Sequence, residues 1–210
     1  MSDRILYGYW RSSAAYRVRI CLNLKSVTFD TVPVDLRAGE QGGDANRAIN
    51  PQALVPTLVV DGQPLTQSLA IVDFLDATFP DPPMVSKNAL VRSGQLARAL
   101  VIAADIHPID NLRVLKRLET QFGADQAAKD EWYRYWITEG LAALEAMAGD
   151  GPFLGGHSPD IADVCLVPQL YNARRFDVPL NRYPKLQAAE AASLALPAVQ
   201  AAAPDRVRPA

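Results

Sequence analysis

The chain has 210 residues, a formal net charge of −2, and a composition that is 49% hydrophobic and 21% charged. That balance leaves no basic footprint for nucleic acid, and no apolar run approaches the roughly 20 residues of a membrane span. Two cysteines, Cys21 and Cys165, are far apart and form no CxxC pair; with only two histidines they make no zinc set. The expectation is therefore a cytoplasmic protein with buried thiols, no metal, no nucleic acid and no membrane. Met-Ser-Asp-Arg at the start has no signal-peptide h-region. The length suits one large domain or two small ones.

The first eighty residues alternate strand and helix signals. Ile5–Tyr9 reads as a strand, Ala14–Leu24 as a helix and Phe29–Val34 as a second strand. This order predicts a parallel βαβ unit. A polar stretch, Arg37–Asp44, precedes Asn50-Pro51-Gln52-Ala53-Leu54-Val55-Pro56, and Pro56 stands before the apolar run Thr57–Val60. Asp61-Gly62 is a hairpin signal that returns the chain through Pro64-Leu65-Thr66. Gln67-Ser68 then opens a helix carrying Leu69, Ile71, Val72 and Leu75 at helical spacing.

Phe79-Pro80-Asp81-Pro82-Pro83 is a break, because prolines so dense end helices. Beyond it only helices are predicted, over Leu90–Ile106, Ile109–Phe122, Ala127–Met147, Asp160–Leu170 and Lys185–Leu194. Asp160 with Asp163 has the spacing of a capping arrangement. Asp105 and Asp110 read as structural, and Trp132, Tyr133, Tyr135 and Trp136 as helix packing. Gly155-Gly156 lacks the spacing of a phosphate loop.

Between the first strand and helix lie Arg11, Ser12 and Ser13. Hydroxyls and backbone N–H groups at a helix start form an anion site, and a thiol held there becomes a thiolate more easily. The loop has no cysteine, so any thiol must arrive on a ligand. Read alone, Ser12 and Ser13 are also ordinary N-cap residues.

The order βαβ, helix, ββα, with proline before the third strand and only helices after it, resembles the cytosolic glutathione transferases. That resemblance implies an α/β thioredoxin-like N-terminal domain (βαβ-α-ββα) over residues 1–81 and an all-α C-terminal domain over 87–210. More closely, Tyr9-Trp10-Arg11-Ser12-Ser13 followed by Arg17-Val18-Arg19-Ile20 resembles the signature of the zeta class, which includes maleylacetoacetate and maleylpyruvate isomerases. Gln67-Ser68-Leu69-Ala70-Ile71, Ala162–Gln169 and Asn172-Ala173-Arg174-Arg175-Phe176 fit the same pattern. One position departs from it: the zeta pattern reads Ser-Ser-Cys, whereas this chain has Ala14.

The resemblance implies glutathione as cofactor and roles for particular residues. Ser12, supported by Ser13, would act on the thiolate, in preference to Tyr7 or Tyr9. Pro56 would be cis and expose the backbone of Val55 to glutathione. Gln67 and Ser68 would hold the γ-glutamyl carboxylate, Gln52 would add a contact and His107 would meet the glycyl end. Arg11 and Arg175 would bind a dicarboxylate keto-acid substrate, since guanidinium groups grip carboxylates in a bidentate way. Arg174 would lie at the surface or between domains, and Arg17 and Arg19 would make structural or interface salt links. The implied activity is cis–trans isomerisation of a maleyl keto acid, maleylacetoacetate before maleylpyruvate, by a homodimer. A transferase that conjugates or dehalogenates small α-halo acids, and a non-catalytic glutathione-binding protein, are the alternatives.

Overall fold

The structure is a computed structural model that describes residues 3–209; Met1, Ser2 and Ala210, and with them the signal-peptide reading of the first residues, lie outside it. The chain gathers into two compact units, residues 3–84 with 195–209, and residues 85–194.

In the first unit a four-stranded mixed sheet has the order β2-β1-β3-β4, formed by β1 (Arg4–Gly8), β2 (Asp30–Pro33), β3 (Thr57–Val60) and β4 (Gln63–Thr66). β1 and β2 are parallel, as the connection through helix α1 (Ser13–Leu24) dictates. β3 is antiparallel to both β1 and β4, the latter through the hairpin at Asp61-Gly62. β2 is an edge strand exposed at all four positions, so its alternation in sequence does not mark a buried face. A short helix α2 (Asp44–Ile49) precedes β3, and α3 (Ser68–Thr78) follows β4.

Helix α1 is the spine of this unit, buried at every position from Ser13 to Leu22. Such a helix must satisfy its polar side chains internally. Lys25 at its end is buried, and its ammonium donates to Asp76 Oδ1 (2.8 Å), Phe79 O (2.6 Å) and Pro82 O (2.9 Å). Three acceptors match three donors and pin the proline-rich break to α1. Residues 195–209, which the sequence groups with the helical half, pack on α1 through α10 (Pro197–Ala201), and α11 (Pro204–Val207) packs on α10. Asn23 donates to Ala198 O and Arg19 to Ala202 O, each at 3.0 Å.

The second unit is helical: α4 (Ala89–Leu100), α5 (His107–Ile109), α6 (Leu112–Phe122), α7 (Gln126–Met147), α8 (Ile161–Arg175) and α9 (Pro184–Leu194). Between α4 and α5 the chain widens into a π-turn over Val101–Ile106, where the His107 N–H donates to Ile102 O five residues back. Pro108 supplies the reason: its ring collides with a carbonyl four residues earlier in a regular helix. Helix α7 accommodates the widened turn with Gly140, whose added Cβ would stand 2.2 Å from Ile106 Cγ1. Asp160 caps α8, and Asp163 closes the predicted capping box. Helix α8 runs through Pro168 to Arg175, five residues beyond the predicted end at Leu170. Among the described residues no helix is long and apolar enough to cross a membrane.

Candidate functional site

One row of the sheet decides where the predicted ligand residues fall. Tyr7 pairs with Thr57, and Thr57 pairs with Thr66. The C-terminal ends of β1 and β4 and the start of β3 therefore share one edge of the sheet. The loop carrying Arg11 and Ser12, the Val55-Pro56 approach and the start of α3 all leave from that edge. Two helix N-termini, with their unmet N–H groups, come to the same end.

Ser12 takes the N-cap position of α1, with its Oγ accepting from Ala15 N at 3.2 Å. Both sequence readings of Ser12 are thus compatible. A hydroxyl that accepts through a lone pair keeps its own proton to donate. Ser13 is the first helical residue, nearly buried, and its N–H and that of Ala14 belong to the first turn, which has no intrahelical acceptor. Tyr9 is buried, and Trp10 has two cations over its ring, Arg11 Cζ at 5.3 Å and Arg208 Cζ at 5.1 Å. A cavity of about 540 Å³ lies at the β1–β2 side of this turn, lined in part by Trp10, Arg19, Arg37 and Arg208. None of the predicted ligand residues lines it.

The Val55–Pro56 bond is cis, as the resemblance implies; Asp81–Pro82 is cis as well, which the sequence reading did not anticipate. The approach to Pro56 is clamped from below. Buried Asn50 and Asn46 donate to Leu54 O at 3.0 and 3.4 Å, and Gln52 N donates to Asn50 Oδ1 at 3.1 Å. Gln52 Oε1 in turn accepts from Gln67 Nε2 at 2.8 Å, so two predicted ligand residues hold each other. Ala53 and Gln67 both adopt positive φ, 55° and 66°. Side chains other than glycine sit there at a penalty, and such positions cluster at ligand sites.

Ser68 opens α3 and is buried; its Oγ accepts from Arg17 NH1 at 3.3 Å. Arg17 is itself 1% exposed. A buried guanidinium thus stands behind the start of α3, and α1 and α3 are tied near their N-terminal ends. The sequence reads Arg17 as a structural or interface link; the structure adds its bond to a predicted ligand residue. Its only signal in sequence is its place inside the signature. Arg19 donates to the carbonyls of Trp10 and Ala202 rather than to a carboxylate; burial lowers it to about 10. Neither thiol is a candidate nucleophile: Cys21 and Cys165 are buried, and burial pushes Cys21 up to about 12.

The second unit carries the remaining predicted residues. His107 is half-buried at the junction of the π-turn with α5. Arg175 is the exposed last residue of α8; its NH1 donates to Asn172 Oδ1 at 2.9 Å and its Cζ lies 5.5 Å from the Phe176 ring. Arg174 pairs in bidentate fashion with buried Glu190 on α9, a link inside the unit. Tyr133, read from sequence as packing, is stacked on Phe176 and accepts from Asn172.

Residues 6–83 match the glutathione S-transferase N-terminal domain, and residues 126–189 match the C-terminal domain. A probable maleylacetoacetate isomerase of Vibrio cholerae is 46% identical over 98% of this chain and 97% of its own length. The chain belongs to the zeta-class glutathione transferases. A maleyl pyruvate isomerase described as a bacterial zeta-class transferase superposes with a TM-score of 0.95 at 41% identity, covering 97% of this chain and 98% of that one. A maleylacetoacetate isomerase of Methylobacterium extorquens AM1, solved with malonate and glutathione bound, gives 0.94 at 38% identity over 98% of this chain and all of that one. The βαβ–α–ββα order and the all-helical second half read from the sequence are those of a zeta-class glutathione transferase.

Proposed function

We propose that this chain is a glutathione-dependent cis–trans isomerase of a maleyl keto acid, with maleylacetoacetate the first substrate and maleylpyruvate the next. The observation that carries this reading is the single sheet edge at which Ser12, the Val55-Pro56 approach and the Gln67-Ser68 helix start emerge together. Full-length similarity to isomerases with both substrate names supports it.

The residues present suit glutathione. Bound there, the tripeptide supplies the thiol whose reversible addition to a conjugated cis double bond permits rotation. The chain's own part is electrostatic and positional. Ser12 keeps its proton for a sulfur while its oxygen caps α1, and the first-turn N–H groups favour negative charge beside it. Val55 offers backbone groups that form no strand pair. Ser68 and the first amides of α3 receive a carboxylate, backed by the Arg17 guanidinium. Ser13, Gln52 and Gln67 support these contacts, and His107 serves the glycyl end. Arg11 and Arg175 orient the substrate dianion and stabilise charge as it develops on the carbonyl oxygen.

The protein would act as a cytoplasmic homodimer. Leu90 and Val91 at the start of α4 are 86% and 51% exposed, an apolar end suited to a second copy. The two buried free thiols suit a reducing compartment. The test is an absorbance time course with each maleyl acid, with and without glutathione, followed by titration of free thiol. Turnover that needs glutathione and conserves thiol upholds the reading; loss of thiol identifies conjugation instead, and no turnover of either acid overturns it. Light scattering that gave only a monomer mass would remove the dimer.

A further inference from the structure

Hydrogen-bond direction in the second unit leads from Arg175 into the core. Arg175 NH1 donates to Asn172 Oδ1 at 2.9 Å. A guanidinium has donors only, so the amide must turn its oxygen to Arg175 and its nitrogen away. Asn172 Nδ2 accordingly donates to the Tyr133 hydroxyl at 2.6 Å. That oxygen is spent as an acceptor, and the phenol proton needs an acceptor of its own. Tyr133 is buried, and its ring lies flat on Phe176, centroids 3.7 Å apart and planes 10° apart, so the hydroxyl has little freedom to seek solvent.

Asp110, in the turn between α5 and α6, is 4% exposed, and neither carboxyl oxygen has a hydrogen-bond partner among the described residues. A buried acceptor without a donor is as unfavourable as a buried donor without an acceptor. The two defects cancel if they meet: Trp132 Nε1, one residue before Tyr133, donates at 3.0 Å to the carbonyl of Ile109, one residue before Asp110, so α7 is packed against the turn that holds the carboxyl.

We propose that Asp110 accepts the Tyr133 proton through one ordered water. Asp110, Tyr133 and Asn172 then form a buried one-way chain that holds the Arg175 guanidinium in a fixed orientation for a substrate carboxylate. The inference rests on the reading of Arg175 as the carboxylate anchor. The three are positioning residues, acting through Arg175. Burial pushes Asp110 up to about 8 and Tyr133 up to about 12. At neutral pH the chain is therefore built largely of uncharged groups: the carboxyl's carbonyl oxygen accepts from the water, and its own O–H donates back to that water's oxygen.

Tyr133→Phe keeps the ring stack and deletes only the hydroxyl. The expected result is a KM for maleylpyruvate raised about tenfold with kcat within about twofold, the signature of a lost orienting contact. Conjugation of a neutral electrophile without a carboxylate is unchanged. In protein labelled with 15N-arginine, the Arg175 Nε–H signal shifts and exchanges faster. Asp110→Asn retains a carbonyl acceptor and behaves as the wild type. Asp110→Leu reproduces Tyr133→Phe, and the double variant is no worse than either single one. A folded Tyr133→Phe protein with unchanged KM and unchanged Arg175 signal overturns the chain. If Arg175→Ala leaves KM unchanged while Tyr133→Phe still alters the Arg175 signal, the anchor reading fails and the chain stands.

Discussion

Gly140 on α7 faces Ile106 in the π-turn, and this contact makes a prediction whose sign depends on the neighbour. A Cβ added at Gly140 would stand 2.2 Å from Ile106 Cγ1 and 2.3 Å from Cδ1. Ile106 is 1% exposed, so its side chain is held in the core. Alanine gains about 1 kcal/mol over glycine in a helix interior, but overpacking of this kind costs about 3 kcal/mol, the upper end of its usual range. Gly140→Ala should therefore destabilise by about 2 kcal/mol, lowering the thermal midpoint of the whole chain by roughly 4–8 °C.

Ile106→Ala removes both clashing atoms and leaves a cavity, at about 2–5 kcal/mol. In that background the methyl at position 140 enters vacated space and keeps its helical advantage. Gly140→Ala should then stabilise by about 1 kcal/mol, a coupling of about 3 kcal/mol with a change of sign. Urea unfolding followed by tryptophan emission measures it. Trp132 and Trp136 are both on α7, so Trp10→Phe confines the signal to the relevant unit. The reasoning is refuted if Gly140→Ala is neutral in the parent, or destabilises both backgrounds equally. On the proposed function, the parent variant should also raise KM for glutathione, because the turn that Ile106 ends carries His107 next.

Three further outcomes follow from the first unit and from the buried carboxyls. Ser12→Ala should cost about 1 kcal/mol of stability through the lost cap, and isomerase turnover should fall about 10- to 100-fold through the lost sulfur contact. Full retention of kcat would end the assignment of Ser12. Asn50→Ala removes the donor to Leu54 O and the acceptor for Gln52 N, so about 1–3 kcal/mol should be lost and KM for glutathione should rise, read by urea midpoint and steady-state kinetics. Asp110 and Asp163 are raised by burial to about 8 and about 7, above their unfolded values. The folded state holds protons that the unfolded state releases, so this stability is complete below about pH 4 and is lost as pH rises toward 7 and 8. The slope is about 1.4 kcal/mol per pH unit for each carboxyl; urea midpoints from pH 5 to 8 should fall, and less steeply in Asp110→Asn.

The order of elements was legible because each carries a local signal. Asp61-Gly62 marks the hairpin, Asp160 with Asp163 marks a cap, and the proline cluster at 79–83 marks the break. The widening at Val101–Ile106 was not legible as a π-turn: Pro108 hints at a disturbed helix, but the room for it comes from Gly140, thirty-four residues after Ile106. The predicted end of α8 falls short for a related reason, since Arg174 gains a partner on α9, Glu190, that periodicity does not reveal. Ser12, Gln52, Val55, Pro56, Gln67 and Ser68 could be named from the resemblance. The Asn46–Asn50 clamp and the Arg17–Ser68 bond could not, because they are tertiary facts about which donors remain after the backbone is satisfied.

The same accounting bears on Ala14, where the zeta pattern has cysteine. Position 14 lies in the first turn of α1 and is 9% exposed, so its side chain fills core space. What the helix start offers an anion comes from backbone N–H groups and from the Ser12 hydroxyl, whose cap bond runs to Ala15 N and not to residue 14. None of these donors depends on the side chain at 14. On the proposed function, Ala14→Cys should leave turnover near the parent value and add a thiol open to oxidation at the helix start, where thiolates are favoured. A large gain in kcat would instead show that the parent lacks a catalytic group, and that Ser12 with the first-turn amides does not suffice.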